Sequence, residues 1–150
     1  MGADVVAVLE PLEAAIIDER DVAVTWSGTW SDLSNALYYF STARHSETDG
    51  DYAELTFWGP LIRVYVAKGQ FNGIADIYID GVLAESVDTW NGSALYRQMV
   101  FEQTDLGDGA HTVRVEVTGT KNPSASWHWI ELDAFECSLL SVEVTRSPWQ

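Results

Sequence analysis

Residues 62–87 read IRVYVAKGQFNGIADIYIDGVLAESV, and this stretch decides the fold class. Apolar residues recur at every second position in 62–66 and again in 75–79. A period of two predicts β-strands with one buried face. The pair Asp80-Gly81 supplies the positive φ angles of a type I′ turn, so residues 75–87 are predicted to form a β-hairpin. The polar segment 68–73 before it is predicted to be a loop, where a β-sandwich usually carries its binding groups.

The same alternation recurs along the chain with turn signals between the strands. It predicts strands at 21–26, 53–58, 96–103, 112–118 and 129–136, with a loop at 27–30 that carries Trp30, and the run 37–40 is predicted to be a short edge strand. Ile130, Leu132 and Ala134 are predicted to share one face of the strand at 129–136. The remaining residues of 31–51 are predicted to form loops. Because no long amphipathic helix is evident, the sequence predicts an all-β antiparallel sandwich.

The ends of the chain are harder to interpret. Residues 5–9 could form a strand, 11–17 could form a short helix or a second strand, and 139–145 could add a last strand. At 150 residues the chain is predicted to be a single domain spanning 1–150, with a core at about 17–137 and short extensions at both ends. The apolar run 3–9 lacks a preceding basic segment, so it is not expected to be a signal peptide. The chain is therefore expected to be either a piece of a larger exported protein or a protein assembled in the cytoplasm.

The composition argues against several classes of partner. With 23 acidic and eight basic residues, the formal charge is −15, which repels nucleic acid and anionic membrane surfaces. The acidity could serve solubility, or it could attract a cationic partner. No apolar run approaches the roughly 20 residues that insertion into a membrane requires. The one cysteine excludes an intramolecular disulfide, and it does not indicate whether the protein resides in an oxidising or a reducing compartment.

Enzymatic chemistry finds no support in the sequence. There is no Gly-x-Ser-x-Gly motif and no phosphate-binding loop, and the histidines at 45, 111 and 128 lack zinc-ligand spacing. His111 is interpreted as a residue that packs or supports a turn, and Cys137 as a small buried apolar residue. Many carboxylates guarantee that some pair could sit at a glycosidase separation, so their number carries no information. The protein is predicted not to be an enzyme.

Five motifs, in order, resemble one known family. They lie at 25–31 (TWSGTWS), 68–81, 107–112 (GDGAHT), 117–123 (VTGTKNP) and 132–136 (LDAFE). Together they resemble galactose-binding-like jelly-roll domains, and the likeness covers about 20–137. The family includes non-catalytic carbohydrate-binding modules, such as families six and thirty-five, and similar domains occur in fungal surface proteins and some phage proteins. The resemblance implies a jelly-roll fold, a glycan ligand, and an extracellular, cell-surface or virion-surface location.

A sugar-binding site needs an exposed aromatic ring for the C–H face of the sugar and fixed polar groups for its hydroxyls. The sequence offers tryptophans and polar residues in predicted loops: Trp30, Trp90, Trp127, Lys68, Asn72, His45, Lys121 and Asn122. Two loop lysines among so few basic residues favour ligand binding, and an acidic sugar would suit them. Alternatively, the tryptophans pack, the lysines pair with carboxylates, and Asn122 shapes a turn. Trp26 and Trp129 fall in predicted strands and are expected to lie in the core.

A structural calcium ion is a further expectation from the resemblance, since many related domains carry one. Glu19, Asp21 and Asp133 could supply its oxygen ligands from the first and last strands. The alternative is that these are solvated surface carboxylates of an acidic chain. No other cofactor is expected.

Two functions remain open from the sequence. The first is a non-catalytic carbohydrate-binding module. The second is a structural protein built on the same fold, such as a phage tail or capsid decoration subunit or a surface filament component, which would self-assemble through its terminal strands. A monomeric mass would favour the first function, and a large symmetric assembly the second.

Overall fold

The computed structural model of the protein describes residues 13–139. Short strands follow one another through this part of the chain, with one 3-10 turn at Tyr39–Ser41. The strands are Glu13–Asp18 (β1), Val24–Ser27 (β2), Ser31–Ser34 (β3), Thr42–Ser46 (β4), Tyr52–Trp58 (β5), Ile62–Lys68 (β6), Ile74–Ile79 (β7), Val82–Asp88 (β8), Leu95–Gln103 (β9), Ala110–Val117 (β10) and Ile130–Leu139 (β11).

The strands form two antiparallel sheets. One sheet has the order β3-β4-β11-β6-β9, with β1 also paired to β11, and the other has the order β2-β5-β10-β7-β8. The alternation of the sequence sets which residues lie between the sheets, as in Val113, Val115 and Val117 on β10, which are fully buried. Cys137 is buried in the same core, as predicted. The all-β antiparallel sandwich predicted from the sequence is confirmed.

The β7–β8 hairpin forms where its turn residues predict it. Asp80 has φ 50° and Gly81 has φ 81°, so both lie in the left-handed region that a type I′ turn requires. His111 on β10 braces this turn, because its Nδ1 lies 2.8 Å from an Asp80 carboxylate oxygen and its Nε2 lies 2.6 Å from the Gly107 carbonyl oxygen. The turn-supporting interpretation of His111 agrees with these contacts.

The prediction for residues 31–46 is wrong. Residues 37–40 form a turn rather than an edge strand, and two strands, β3 at Ser31–Ser34 and β4 from Thr42, lie inside the segments predicted to be loops. Phe40 and Ser41 adopt φ values of 53° and 64°, which a strand cannot contain. The turn is fixed from outside, since the Tyr39 amide donates to the Asp133 carboxylate at 3.0 Å.

A β-bulge changes the predicted face of β11. The register against β6 shifts between Leu132 and Ala134, so the alternation reverses at Asp133. The core therefore takes Leu132 and then Phe135, whereas Ala134 leaves the face that the sequence assigned to it.

At the ends of the described part, β1 confirms the strand alternative for residues 11–17 as far as the structure describes them. The strand suggested at 5–9 lies outside the described residues, as do the extensions and all of 139–145 except Leu139, which ends β11. In the part that the structure describes, no helix is long and apolar enough to cross a membrane.

The connectivity gathers five loops at one end of the sandwich. Because neighbouring strands are antiparallel, the connections β2–β3, β4–β5, β6–β7, β8–β9 and β10–β11 all emerge at the same edge of the two sheets. We call this edge the five-loop end. The connections β3–β4, β5–β6, β7–β8 and β9–β10 leave their strands on the opposite side, whereas β1 and β2 both run toward the five-loop end and are joined partway along the sandwich.

Candidate functional site

The five-loop end contains all eight residues that the sequence singled out for sugar binding. Each lies either in one of the five loops or at the end of a strand that enters them. Loops at the end of a rigid sandwich are where binding residues are usually found. The eight residues nevertheless play different structural roles, as described next.

Two of them line an open groove, which we call the Lys68 groove, with a volume of about 230 Å³. Lys68 and Asn72 lie on one side, and Phe71, Tyr96 and Trp129 add aromatic surface. Asn72 is buried and donates to the Ala67 carbonyl at 3.0 Å, so it shapes the base of the groove.

A fixed carboxylate completes the base of the Lys68 groove. Glu131 accepts the Tyr38 hydroxyl at 2.8 Å and lies 3.4 Å from the Asn72 amide nitrogen. Burial, reinforced by the hydrogen bond to Glu131, raises the pKa of Tyr38, which therefore remains a donor at physiological pH.

The Lys68 ammonium differs from most basic groups of the protein. Arg20, Arg44, Arg63 and Arg114 each pair with a carboxylate, and Lys121 is bound to a carbonyl. Lys68 makes no hydrogen bond or ion pair with residues 13–139. An ammonium group left free beside an aromatic groove can bind ligand oxygens.

A second groove, of about 260 Å³, lies on the other side of the Trp129 indole. We call it the Glu47 groove. Its lining consists of Thr29, Ser31, His45, Ser46, Glu47, Thr48 and Trp129. The His45 ring meets Trp129 edge to face at 5.2 Å. Trp129 therefore forms a wall that both grooves share.

Glu47 fixes two indoles at once. Its Oε2 accepts the Nε1–H groups of Trp127 and Trp129, each at 2.5 Å. These two hydrogen bonds lower the pKa of Glu47, so the carboxylate is ionised at neutral pH. Trp127 is 43% exposed and Phe71 is 45% exposed, so the rings form an accessible aromatic surface.

Trp30 and Trp90 lie elsewhere in the five-loop end. Trp30 is half-buried, packs edge to face on Trp26 at 4.8 Å, and donates Nε1–H to the Ser27 carbonyl at 3.0 Å. Trp90 is half-buried behind the Lys68 groove, and its backbone pairs with Gly69. Neither ring lines either groove, so these contacts agree with the packing alternative.

Lys121 and Asn122 hold the β10–β11 loop together. The Lys121 ammonium donates to the Ala125 carbonyl at 3.0 Å. The Asn122 side chain bridges the Asp88 carboxylate at 2.8 Å and the Ser124 amide at 2.9 Å. This is the turn-shaping role named above as the alternative for Asn122.

The sequence interpretation missed the residues at the centre of the site. Trp129 was assigned to the core, yet it precedes β11 and separates the two grooves. Its spacing of two residues from Trp127 was the available signal, because alternate residues of an extended segment point the same way. Glu47 and Phe71 carried no comparable signal in the sequence.

The three residues predicted to bind calcium do not form one site. Asp21 is exposed and accepts the Ala23 amide, and Asp133 accepts the Tyr39 amide. Only Glu19 has a feature expected of a cation ligand, a buried Oε2 without a hydrogen-bond partner among residues 13–139. In the described part of the chain, no three His, Cys, Asp or Glu side chains could hold a metal together. The residues therefore do not fit a shared site, and calcium binding stays a prediction.

Glu19 and Asp133 instead predict a pH-dependent stability. Both are fully buried, and burial raises the pKa of each to about 7 from ordinary values of 4.5 and 3.8. The folded state therefore binds protons more tightly than the unfolded state, so the free energy of unfolding falls as pH rises from about 4 to about 7. Glu19→Gln and Asp133→Asn should each weaken this dependence and stabilise the protein at pH 8, by an amount on the order of 1–3 kcal/mol.

Urea unfolding of the wild type and the two variants at pH 5 and pH 8 measures this effect. Gln at position 19 keeps an acceptor oxygen for Thr42, and Asn at position 133 keeps one for the Tyr39 amide. The variants therefore differ from the wild type mainly in having no carboxyl group that can gain or lose a proton. An unchanged difference between the two pH values in both variants would contradict the prediction.

The two antiparallel sheets and their connectivity form a jelly-roll β-sandwich, a fold that the following solved structures share. The CBM36-1 domain of a multidomain xylanase from the hindgut metagenome of Trinervitermes trinervoides has the same fold, with a TM-score of 0.59 and 14% identity, over 83% of this chain and 95% of that one. A two-domain esterase (CEX) active on acetylated mannans has the same fold over 87% of this chain and 37% of the esterase chain, with a TM-score of 0.65 and 17% identity. A Paenibacillus xanthan lyase has the same fold over 84% of this chain and 13% of its own chain, with a TM-score of 0.64 and 16% identity.

Two curated enzymes of Flavonifractor plautii are similar in sequence. An A type blood N-acetyl-α-D-galactosamine deacetylase is 37% identical over 108 residues, and an A type blood α-D-galactosamine galactosaminidase is 38% identical over 110 residues. The matched stretches cover 71% and 73% of this chain but only 14% and 10% of the enzymes. No protein-family model matches the chain.

Proposed function

We propose that the protein is a non-catalytic carbohydrate-binding domain whose ligand binds at the five-loop end. One observation carries the proposal: the Trp129 indole stands between two open grooves, with the free Lys68 ammonium beside it. The indole offers a flat apolar surface to the C–H face of a sugar. Lys68 and the fixed Glu131 carboxylate supply a donor and an acceptor for hydroxyls.

The two curated relatives support a binding role over a catalytic one. A deacetylase and a galactosaminidase perform different reactions, and each contains a similar stretch that forms a small part of its length. A part common to both is better explained by a shared glycan than by shared chemistry. We extend the proposal to glycans that carry galactosamine or its N-acetyl form, and to an extracellular or cell-surface setting.

The expected affinity is modest, on the order of 10–1000 μM, because shallow hydrated grooves gain only a small surplus over the cost of ordering a ligand. The proposal requires no cofactor. Self-assembly through the terminal strands, as in a virion or filament subunit, stays a prediction.

Lys68→Met should lower glycan affinity about three- to tenfold, since it removes a charged donor and keeps the length of the side chain. Stability should be unchanged, because Lys68 makes no hydrogen bond or ion pair with residues 13–139. A glycan array would first identify the ligand for the wild type, and isothermal titration calorimetry would then compare the two proteins. The absence of wild-type binding to every galactosamine-containing, plant, algal and bacterial glycan on the array would contradict the proposed function.

A further inference from the structure

The two grooves on either side of Trp129 differ in charge. The Lys68 groove is lined by Lys68, whose ammonium has no partner among residues 13–139, and by Glu131, whose carboxylate already accepts from Tyr38 and Asn72. The Glu47 groove contains an ionised carboxylate, hydroxyl groups and a histidine, and no lysine or arginine is among its lining residues. A ligand that spans the indole therefore meets an ammonium beside a hydrogen-bonded carboxylate at one end, and a carboxylate without a neighbouring lysine or arginine at the other.

Glu47 is already positioned to bind a cation. Its Oε2 is held in position by the two indole N–H groups. Its Oε1 has no hydrogen-bond partner among residues 13–139. The side chain is exposed, and the indole donors keep its pKa low, so the charge is present without a conformational change.

The volume of the Glu47 groove limits the size of its occupant. At about 260 Å³ the groove has room for roughly nine water molecules, which suits one sugar ring better than an extended chain. Three of its hydroxyl-bearing residues, Thr29, Ser31 and Thr48, can donate to and accept from sugar hydroxyls, whereas the buried Ser46 hydroxyl already bonds to Asp51 and Thr48.

We propose that the Glu47 groove recognises the protonated amino group of a 2-amino-2-deoxy sugar, with the sugar ring against Trp129 and the next sugar of the glycan in the Lys68 groove. This inference rests on the proposed function and narrows its ligand. An acetylated amine is neutral, so it cannot form the charge-assisted hydrogen bond to Glu47. In the Lys68 groove an amine would meet the Lys68 ammonium, and the Glu131 oxygens there already accept from Tyr38 and Asn72, so the Glu47 groove is the more favourable site for the amine.

The test compares galactosamine with N-acetylgalactosamine at about pH 6, where an amine with a pKa near 7.7–8.0 is protonated. Isothermal titration calorimetry should show about fivefold tighter binding of galactosamine to the wild type, and the preference should shrink at high salt. Glu47→Gln should abolish the preference. The Gln side chain keeps an acceptor oxygen for the two indoles, so the loss reports the charge. With disaccharides that carry galactosamine or N-acetylgalactosamine, Lys68→Met should weaken binding of both and keep the preference, because the second sugar then lies beside Lys68.

Equal affinity for the two sugars in the wild type would overturn the inference, as would a preference that persists in Glu47→Gln. In either case glycan binding itself would remain, so the proposed function would stand. If neither sugar nor any larger glycan bound, the proposed function would fail, and the inference would fail with it.

Discussion

Gly73→Ala is expected to lower the melting temperature by about 10 °C, which corresponds to about 3 kcal/mol for a chain of this size. A β-carbon at Gly73 would lie 2.7 Å from both the His128 Cα and the Thr120 carbonyl oxygen. These are backbone atoms, so no side-chain rotation can relieve the clash. The Gly73 amide and carbonyl also bond to Trp129 and Thr89, so the change disturbs three loops of the five-loop end together.

Differential scanning calorimetry measures this effect, and Gly107→Ala is the matched control. A β-carbon at Gly107 meets no atom within 4 Å, and no positive φ is required there. A melting temperature for Gly73→Ala within about 2 °C of the control would contradict the close packing of the β6–β7 and β10–β11 loops.

Trp129→Ala is expected to reduce glycan affinity at least tenfold, because stacking of a ring on an indole contributes roughly 1–3 kcal/mol. The side chain forms one wall of both grooves, so its loss removes the surface that any bound sugar would contact. The backbone bonds of Trp129 to Phe71 and Gly73 persist in the variant, which should therefore still fold.

The control for this variant is Trp58→Ala. Trp58 is also exposed, at 54%, but it ends β5 at the opposite end of the sandwich. Its replacement should leave affinity within twofold of the wild type. Equal losses in the two variants would indicate that binding depends on general stability rather than on the Trp129 ring.

The strands of the core were predictable because the alternation there is local. Strands such as β6, β7 and β10 place one residue in two between the sheets, so burial and sequence pattern coincide. The turn at Tyr39–Ser41 was not predictable, because it is fixed by Asp133, which lies 94 residues away in sequence. The bulge at Asp133 was not predictable either, because it is defined by the register of β11 against β6, a strand far away in sequence.

The candidate site was predictable in location and only partly in composition. The candidate residues of the predicted loops all lie at the five-loop end, and Lys68, Asn72 and His45 line its grooves. Glu47 lies 80 and 82 residues from the indoles that it holds, so no local pattern could reveal it. Trp129 was hidden because it directly precedes the buried Ile130 and reads as part of the strand.

The most direct test of the account is a titration of ¹⁵N-tryptophan-labelled protein with a galactosamine-containing glycan, followed through the indole N–H resonances. The account predicts that the Trp129 and Trp127 signals shift with ligand concentration while those of Trp58 and Trp26 stay in place. Shifts confined to Trp58, or unchanged Trp129 and Trp127 signals at ligand concentrations where calorimetry detects binding, would contradict the claim that glycans bind at the five-loop end.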